Sequence, residues 1–263
     1  MEFNNITFVI KEGVATLTLN RPGSLNSFTT DMHAEIREAM QQVIENPSIR
    51  CLVLTGAGRG FCAGQDLGDR AQTNEGGVPD VGASVEQNYN PLIRSIMNLP
   101  KPVICAVNGV AAGAGASIAL ACDIVLAARS ASFIQVFCKI GLIPDSGGTW
   151  TLPRAVGLAR AKGLALLGDR LPAETAESWG MIWKCVDDDV LQEETQKMAS
   201  HFATQPTRAL GRIKRLLHES GANTLSVQLD LEQKAMQDLG QSEDYREGVT
   251  AFLEKRPPQF KGA

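Results

Sequence analysis

The chain has 263 residues, of which 44% are hydrophobic and 21% charged, and its formal net charge is −4. This composition is typical of a globular protein with a sizeable core, and the mild negative charge argues against a nucleic-acid-binding surface. The N-terminal residues lack the basic and apolar segments of a signal peptide, and no apolar run reaches the ~18 residues of a membrane span. We therefore expect a cytoplasmic protein that does not bind a membrane.

The first part of the chain alternates strand and helix patterns. Alternation of small or apolar with polar residues predicts a half-buried strand over 14–19, and helical spacing of apolar residues predicts a helix over 30–45. A short apolar run over 51–55 predicts a buried strand. Residues 70–82 have few apolar residues, which is typical of a mobile surface loop and makes them a candidate lid or pocket rim.

The same alternation continues in the middle of the chain. The sequence predicts an amphipathic helix over 84–98, a buried strand over 103–107, a helix of small residues over 111–120 and a strand over 124–127. Strands that alternate with helices indicate an α/β fold class. Beyond residue 189 the pattern is almost wholly helical. We predict a core over residues 1–188 and a helical C-terminal subdomain over residues 189–263.

Cysteine and histidine spacing argues against disulfide and metal chemistry. The six cysteines stand singly, mostly inside apolar runs, without a Cys-x-x-Cys pair. Such residues usually behave as small buried hydrophobic groups in a reduced protein. The three histidines are far apart in sequence. We therefore expect no metal site.

One acid is unusual for its surroundings. From Gln87 to Gly168 the chain contains only two carboxylates, Asp123 and Asp145, and Asp145 is followed by a glycine-rich turn over 146–149. A single carboxylate on an apolar wall is a candidate acid/base, because desolvation disfavours its charged form. Alternatively, Asp145 caps a helix that begins near Ser146.

Two glycine-rich segments, over 60–67 and 109–116, follow predicted strands. Glycines allow a ligand to approach the backbone, and the first N–H groups of a helix lack intrahelical acceptors. Two such N–H groups that point at one place would form an oxyanion hole. A phosphate-binding loop is disfavoured, since neither segment has the required glycine and lysine spacing. The remaining alternative is close helix–strand packing through small residues.

Five segments in order resemble the signatures of the enoyl-CoA hydratase/isomerase (crotonase) superfamily. They are Asn20-Arg21-Pro22 with Leu25-Asn26-Ser27, Gly60-Phe61-Cys62-Ala63-Gly64-Gln65-Asp66-Leu67, and the segments over 101–109, 141–149 and 246–256. The match covers essentially the whole chain. It implies the crotonase (ClpP-like) fold, a spiral of ββα repeats with a helical C-terminal trimerisation region. It also implies a homotrimer or a dimer of trimers that acts on an acyl-CoA thioester without a separate cofactor.

The resemblance also implies site residues. The backbone N–H groups of Gln65 and Ala114 correspond to the family's oxyanion hole, which holds the thioester carbonyl oxygen. The other implied substrate and CoA contacts are Arg21, Ala63, Gly64, Asp66, Leu67, Gly113, Phe137, Phe252 and Lys255, the last two from a neighbouring subunit. Asp66 and Arg59 are expected mainly to stabilise their loop. Without the resemblance, Lys255 would be interpreted as an ordinary solvated lysine. The family often carries a basic residue where this chain has Gly23 and Ser24.

The sequence departs from the hydratases of the family at two positions. Their two catalytic glutamates align with Ser117 and Phe137, and no glutamate occurs from 87 to 173. Efficient addition of water is therefore not expected, because it requires two carboxylates. In isomerase branches a single carboxylate at the position of Asp145 transfers a proton between two carbons of the substrate. The expected apolar neighbours of this carboxylate are Phe133, Phe137 and Ile140.

Finer resemblance indicates one isomerase branch. The segments over 141–154, 180–183 and 242–248 are similar to isomerases of aerobic phenylacetate degradation. That branch converts ring-1,2-epoxyphenylacetyl-CoA to 2-oxepin-2(3H)-ylideneacetyl-CoA. The alternatives are a Δ3,Δ2-enoyl-CoA isomerase, a 2-enoyl-CoA hydratase and a non-catalytic acyl-CoA-binding protein.

Overall fold

A computed structural model describes residues 3–72 and 80–263, and all structural statements concern these residues. Its strands form two sheets. The larger sheet has the order β1-β2-β3-β5-β7-β10, formed by Ile6–Lys11, Val14–Leu19, Cys51–Gly56, Val103–Val107, Ile124–Ala128 and Lys184–Val186. The smaller sheet has the order β4-β6-β8-β9, formed by Gly60–Cys62, Val110–Ala112, Ser132–Ile134 and Arg170–Pro172.

The larger sheet is mainly parallel. The first two strands pair antiparallel with Ile6 opposite Leu19, and the following neighbours pair parallel, with Leu52 opposite Val103 and Ile104 opposite Ile124. The central strand β5 is buried at every position. Burial on both faces explains why this strand reads as a continuous apolar run.

Helices cover the sheets and form the C-terminal part of the chain. In the first half they are α1 to α5, over Thr30–Glu45, Leu67–Gln72, Val81–Ser84, Asn90–Asn98 and Ala114–Ala121. A π-helical segment over Val85–Tyr89 joins the third and fourth helices. The later helices are α6 to α11, over Gly148–Leu167, Ala173–Ser178, Leu191–Ala203, Thr207–Ser220, Leu225–Leu239 and Glu243–Glu254.

The mixed α/β class is confirmed. The strand over 14–19 and the helix over 30–45 have the predicted bounds, and Thr29 caps that helix by accepting a hydrogen bond from the Met32 N–H. The predicted helix over 111–120 is wrong at its start. Residues Val110–Ala112 form strand β6, and the helix begins only at Ala114, after Gly113 with a φ of 54°.

The predicted loop over 70–82 is helical at both ends, since α2 extends to Gln72 and α3 begins at Val81. Residues 73–79 of this segment lie outside the described residues, so the prediction of a lid or pocket rim over 70–82 stays a prediction. Among the described helices, none has the length and apolarity needed to cross a bilayer. All six cysteines are free thiols.

The C-terminal helices contact the core. Helix α8 packs on strands β2, β3, β5 and β7. On α9, the buried Lys214 Nζ lies 2.9 Å from Asp123 Oδ2 and donates to the Ile96 carbonyl at 2.8 Å. The division of the chain at residue 189 stays a prediction.

Candidate active site

The two glycine-rich segments lie side by side. Strand β4 pairs parallel to β6, with Gly60 opposite Val110. A Cβ atom at Gly115 would lie 2.4 Å from the Cys62 carbonyl oxygen, so helix α5 packs directly on the backbone of the first segment. Close packing through small residues is therefore real, and it brings the backbone amides of both segments together.

The closest approach between the segments is at Gly64. Its φ is 91°, and a Cβ atom there would lie 3.0 Å from the Ala112 carbonyl oxygen and 3.4 Å from the Ala114 nitrogen. A side chain at this position would enter the space beside the Ala114 nitrogen and the neighbouring peptide group of Gly64 and Gln65. Glycine keeps that space open.

The Gln65 N–H is oriented by the peptide group to which it belongs. In that group the Gly64 carbonyl accepts a hydrogen bond from the Phe28 N–H at 2.7 Å. Because a trans peptide directs its C=O and N–H in opposite directions, the Gln65 N–H points away from Phe28. It donates to no acceptor among the described residues.

The Ala114 N–H has a similar arrangement. The Gly113 carbonyl of the same peptide group accepts from the Ser117 N–H at 3.2 Å, which is the first hydrogen bond of α5. Ala114 is the first residue of the helix, so its N–H has no intrahelical acceptor. It also donates to no other acceptor in the described part of the chain. The partial positive charge of the helix N-terminus adds to its attraction for an anion.

Asp145 lies in a tight turn before α6. The Gly148 N–H donates to the Asp145 carbonyl at 2.8 Å, and Ser146 and Gly147 have φ values of 52° and 76°. The helix starts at Gly148, and its N-cap, Gly147, has no side-chain capping bond. The alternative that Asp145 caps a helix is therefore wrong. Its carboxylate accepts a hydrogen bond from Ser146 Oγ at 2.9 Å instead.

The Asp145 turn packs on the helix that begins at Ala114. A Cβ atom at Gly148 would lie 2.6 Å from Ser117 Oγ and 3.2 Å from Pro144 Cβ. Ser117 is one helical turn after Ala114 and is fully buried. The structure thus joins the Asp145 turn and the second glycine-rich segment through α5.

Phe137 is next to the same helix terminus. It is buried in a short 3-10 helix over Val136–Ile140, and its ring atoms would lie 3.8–4.0 Å from a Cβ atom at Gly113. Phe133 is buried in β8, whereas Ile140 is half exposed. Phe137 therefore supplies an apolar wall beside Gly113, the residue that precedes Ala114.

Arg21 and Asp66 brace the first glycine-rich segment. Arg21 Nη1 lies 3.0 Å from Asp66 Oδ2 and donates to the Ser27 carbonyl. Asp66 Oδ1 accepts from the N–H groups of Gly68 and Asp69, at the start of α2. Burial alone would raise the pKa of Asp66, but hydrogen bonds from Arg21, Asp69 and Ser27 outweigh it and lower that pKa. The carboxylate is thus ionised and held in place, as expected for a brace.

The other predicted contacts divide into two groups. Ala63 and Gly64 belong to the first glycine-rich segment, and Leu67 is exposed beside it at the start of α2. Phe252 and Lys255 are exposed at the end of α11. In the described part of the single chain, the Lys255 N–H donates to the Phe252 carbonyl at 3.3 Å, and no hydrogen bond joins either residue to the glycine-rich segments.

Sequence reasoning missed two side chains near these groups. Ser146 donates to Asp145, and Tyr89 Oη donates to Gln65 Oε1 at 2.9 Å. Tyr89 lies in the segment predicted as an amphipathic helix over 84–98, and that pattern does not distinguish it from the other apolar positions. The sequence feature that could have drawn attention to Tyr89 is the rarity of tyrosine in this chain, which has two.

Comparison with known proteins supplies the family. Residues 9–263 match a family model described as enoyl-CoA hydratase/isomerase. The chain is 60% identical to the Escherichia coli protein "1,2-epoxyphenylacetyl-CoA isomerase", over 100% of this chain and 99% of that protein. It is 46% identical to a Rhodobacter capsulatus "Probable enoyl-CoA hydratase", over the full length of both. A solved structure of enoyl-CoA hydratase from Bacillus anthracis superposes with a TM-score of 0.93 at 34% identity, covering 99% of this chain and 100% of that chain.

Proposed function

Because the chain belongs to the enoyl-CoA hydratase/isomerase family, we propose that it is an acyl-CoA isomerase with Asp145 as its acid/base. The observation that carries this proposal is the site's pattern of carboxylates. Asp145 lies on a turn packed against α5, while Ser117 and Phe137, which the family resemblance aligns with the hydratase glutamates, are buried and carry no carboxylate. Among the described residues the site has one carboxylate, which suits a proton shift better than the addition of water.

In the proposed reaction, the Asp145 carboxylate takes a proton from the carbon next to the thioester. The electron pair of that C–H bond forms a double bond to the carbonyl carbon, and the π pair of the carbonyl moves onto its oxygen, which becomes negatively charged. The carbonyl bond then re-forms, and the pair from the α-carbon makes a double bond to the next carbon. The pair of the original double bond takes the proton from Asp145 at the carbon two positions from the α-carbon. The carboxylate is regenerated, and product and substrate are isomers.

The Gln65 and Ala114 N–H groups are the proposed oxyanion hole. Support comes from their closeness and from the orientation of both peptide groups, whose carbonyls already accept hydrogen bonds within the fold. Donors fixed in advance stabilise charge that develops in the transition state, and each is typically worth about 3–4 kcal/mol. Phe137 would exclude water beside them.

The proposed substrate is ring-1,2-epoxyphenylacetyl-CoA, with 2-oxepin-2(3H)-ylideneacetyl-CoA as product. Support comes from the 60% identity to the Escherichia coli isomerase over the whole chain. After the epoxide has expanded to an oxepin ring, the remaining step is the allylic proton shift described above. One carboxylate and one oxyanion hole suffice for it.

The test compares three substrates with purified protein: epoxyphenylacetyl-CoA generated enzymatically, a 3-enoyl-CoA and a 2-enoyl-CoA. We expect the epoxide to be isomerised with the highest kcat/KM, slower double-bond migration in the 3-enoyl-CoA, and little addition of water to the 2-enoyl-CoA. Addition of water faster than double-bond migration would contradict the proposal. A 3-enoyl-CoA preferred over the epoxide would instead identify a Δ3,Δ2-enoyl-CoA isomerase.

The variant Asp145→Asn isolates the proposed acid/base. It retains the size of the side chain and removes the basic carboxylate, so we expect isomerisation to fall by at least ~10³-fold. Binding of a saturated acyl-CoA, measured by calorimetry, should remain close to that of the native protein. Near-native turnover would remove Asp145 from the mechanism.

The proposed assembly is a cytoplasmic homotrimer or dimer of trimers that completes the CoA site with Arg21 and a neighbour's Phe252 and Lys255. In the single chain, the Phe252 side chain is 83% exposed and the nearby Val249 and Leu253 are exposed as well, and a contiguous apolar surface of this kind is typical of an interface. A cavity of about 800 Å³ lies among apolar side chains that include Met236, Val249, Phe252 and Leu253. Analytical ultracentrifugation of native protein and of Phe252→Glu tests this, since the charge should weaken assembly and raise KM for acyl-CoA.

A further inference from the structure

Tyr89 is linked to the proposed oxyanion hole through the side chain of Gln65. Its hydroxyl donates to Gln65 Oε1 at 2.9 Å. The amide nitrogen Nε2 of the same side chain donates to the Phe28 and Asp66 carbonyls, each at 3.1 Å. Both polar atoms of the Gln65 side-chain amide are therefore hydrogen-bonded within the fold. The side chain is directed away from the space that the Gln65 backbone N–H faces.

The backbone on both sides of Gln65 is held by the same neighbour. The Phe28 N–H donates to the Gly64 carbonyl at 2.7 Å, and the Phe28 carbonyl accepts from the Asp66 N–H at 2.9 Å. These two bonds fix the peptide groups before and after Gln65. The contact from Gln65 Nε2 to the Phe28 carbonyl then couples the side chain to the same backbone.

Tyr89 itself is held rigidly. It is fully buried, and its ring lies 5.8 Å from the Phe28 ring and 4.5 Å, edge-on, from the His33 ring. It is the last residue of the π-helical segment Val85–Tyr89. π-Helical segments are rare and occur frequently at functional sites. The hydroxyl thus has a fixed position from which to hold Gln65.

We propose that Tyr89 is a positioning residue for the isomerisation: its hydroxyl fixes the Gln65 side chain and thereby the direction of the Gln65 backbone N–H. This inference rests on the proposed oxyanion hole and assigns the residue that orients one of its donors. Tyr89 does not touch the substrate in this account. Its effect is on charge stabilisation in the transition state, which depends on the direction of the donor.

The test is the variant Tyr89→Phe, which removes the hydroxyl and keeps the ring. We expect kcat for isomerisation to fall about 5- to 10-fold, with KM for the acyl-CoA changed less than about 2-fold. The matched control is Ser178→Ala, which removes an exposed hydroxyl that donates to the Thr175 carbonyl at 2.9 Å on α7, a helix that does not line the cavity beside Phe252. That variant should keep native kcat and KM.

A double-mutant cycle shows whether Tyr89 acts through Gln65. Gln65→Leu removes the side-chain amide and keeps the backbone N–H. If the proposal holds, the double variant loses no more activity than Gln65→Leu alone. Independent, multiplying losses would overturn it. Should Tyr89→Phe fold poorly, Gln65→Leu alone must still lower kcat with little change in KM, and native kcat in that variant would overturn the inference.

Infrared difference spectroscopy supplies a measurement independent of turnover. The probe is bound phenylacetyl-CoA with a ¹³C-labelled thioester carbonyl, whose stretching frequency falls when donors polarise it. We expect a smaller fall in Tyr89→Phe than in native protein. One outcome is that native protein isomerises its substrate and lowers the carbonyl frequency, and that Tyr89→Phe does both to the same extent. The inference about Tyr89 then fails and the proposed function stands. If native protein does neither, the proposed function fails and the inference with it.

Discussion

Ser146 Oγ donates a 2.9 Å hydrogen bond to Asp145 Oδ1 from a residue whose φ is 52°. The left-handed backbone at Ser146 is uncommon for a residue with a side chain. Here it turns the hydroxyl back toward the preceding carboxylate. Ser146 is buried and Asp145 is partly exposed, so the hydroxyl meets the carboxylate at the edge of the interior. The turn thus orients the carboxylate that we propose as the acid/base.

The variant Ser146→Gly tests this orientation. Glycine adopts the left-handed backbone without strain and removes the small side chain that carries the hydroxyl. We expect kcat to fall about 3- to 10-fold, because one hydrogen bond to a charged group is lost, with KM nearly unchanged. The thermal unfolding temperature serves as the control and should change little. Native kcat in this variant would show that the contact does not orient the carboxylate.

The variant Ala114→Pro tests the second oxyanion donor. Ala114 is the first residue of α5, a position where proline is well tolerated because its missing N–H has no intrahelical acceptor. We expect kcat/KM to fall about 10²- to 10³-fold while the protein remains folded by circular dichroism. Leu225→Pro is the matched control, since Leu225 is the exposed first residue of α10. If both variants kept native kcat/KM, the Ala114 N–H would not be a donor.

The sequence predicts an element well when residues close in sequence determine it, and poorly when contacts between distant residues determine it. Helix α1 is specified locally, by apolar spacing and the cap at Thr29, and its bounds were predictable. Strand β6 is only three residues long and exists because it pairs with β4 and β8. Small residues such as those over 111–120 fit a helix or a strand, so local pattern could not separate them.

The candidate site shows the same limit. Asp145 stood out because the surrounding sequence lacks acids, which is visible without a structure. The contact between Tyr89 and Gln65 joins residues 24 positions apart, and Tyr89 belongs to a π-helical segment. No periodicity of the sequence indicates this contact. Similarly, nothing local shows that Gly148 lies against Ser117. Long-range packing decides such contacts, and a single sequence does not display it.

The contact of Gly148 with Ser117 predicts a compensating pair of substitutions. In Gly148→Ala the new Cβ would lie 2.6 Å from Ser117 Oγ, which is closer than packing allows. We expect the variant to lose about 1–3 kcal/mol of unfolding free energy, measured in urea. Ser117→Ala removes that oxygen, so the double variant should regain part of the loss, and strictly additive losses would contradict the contact.

Gly163→Ala is the control for this pair. Gly163 lies in the same helix, α6, and a Cβ atom there would have no neighbour within 4 Å. Alanine has the higher helix propensity, so this variant should gain up to about 1 kcal/mol. A similar loss in both glycine variants would show that the helix backbone, and not Ser117, sets the cost.

His33 predicts a loss of stability in mild acid. Burial, together with the positive charge of Arg37, lowers the pKa of His33 from 6.5 to about 4. Between these two values the unfolded chain binds a proton that the folded protein does not. Stability is therefore fully present above pH 6.5 and falls as the pH approaches 4, by a total on the order of 3 kcal/mol.

The measurement is urea unfolding of native protein and of His33→Leu at pH 7.5 and pH 4.5. His218, whose pKa is also lowered by burial, contributes a loss of the same sign, and Asp123, whose pKa burial raises, contributes the opposite sign. Both groups are present in the two proteins, so the difference in their pH dependence isolates His33. We expect the native protein to lose about 2 kcal/mol more than the variant between the two pH values. An equal loss would mean that His33 takes up its proton equally readily in the folded and the unfolded protein, and that burial beside Phe28 and Tyr89 does not lower its pKa.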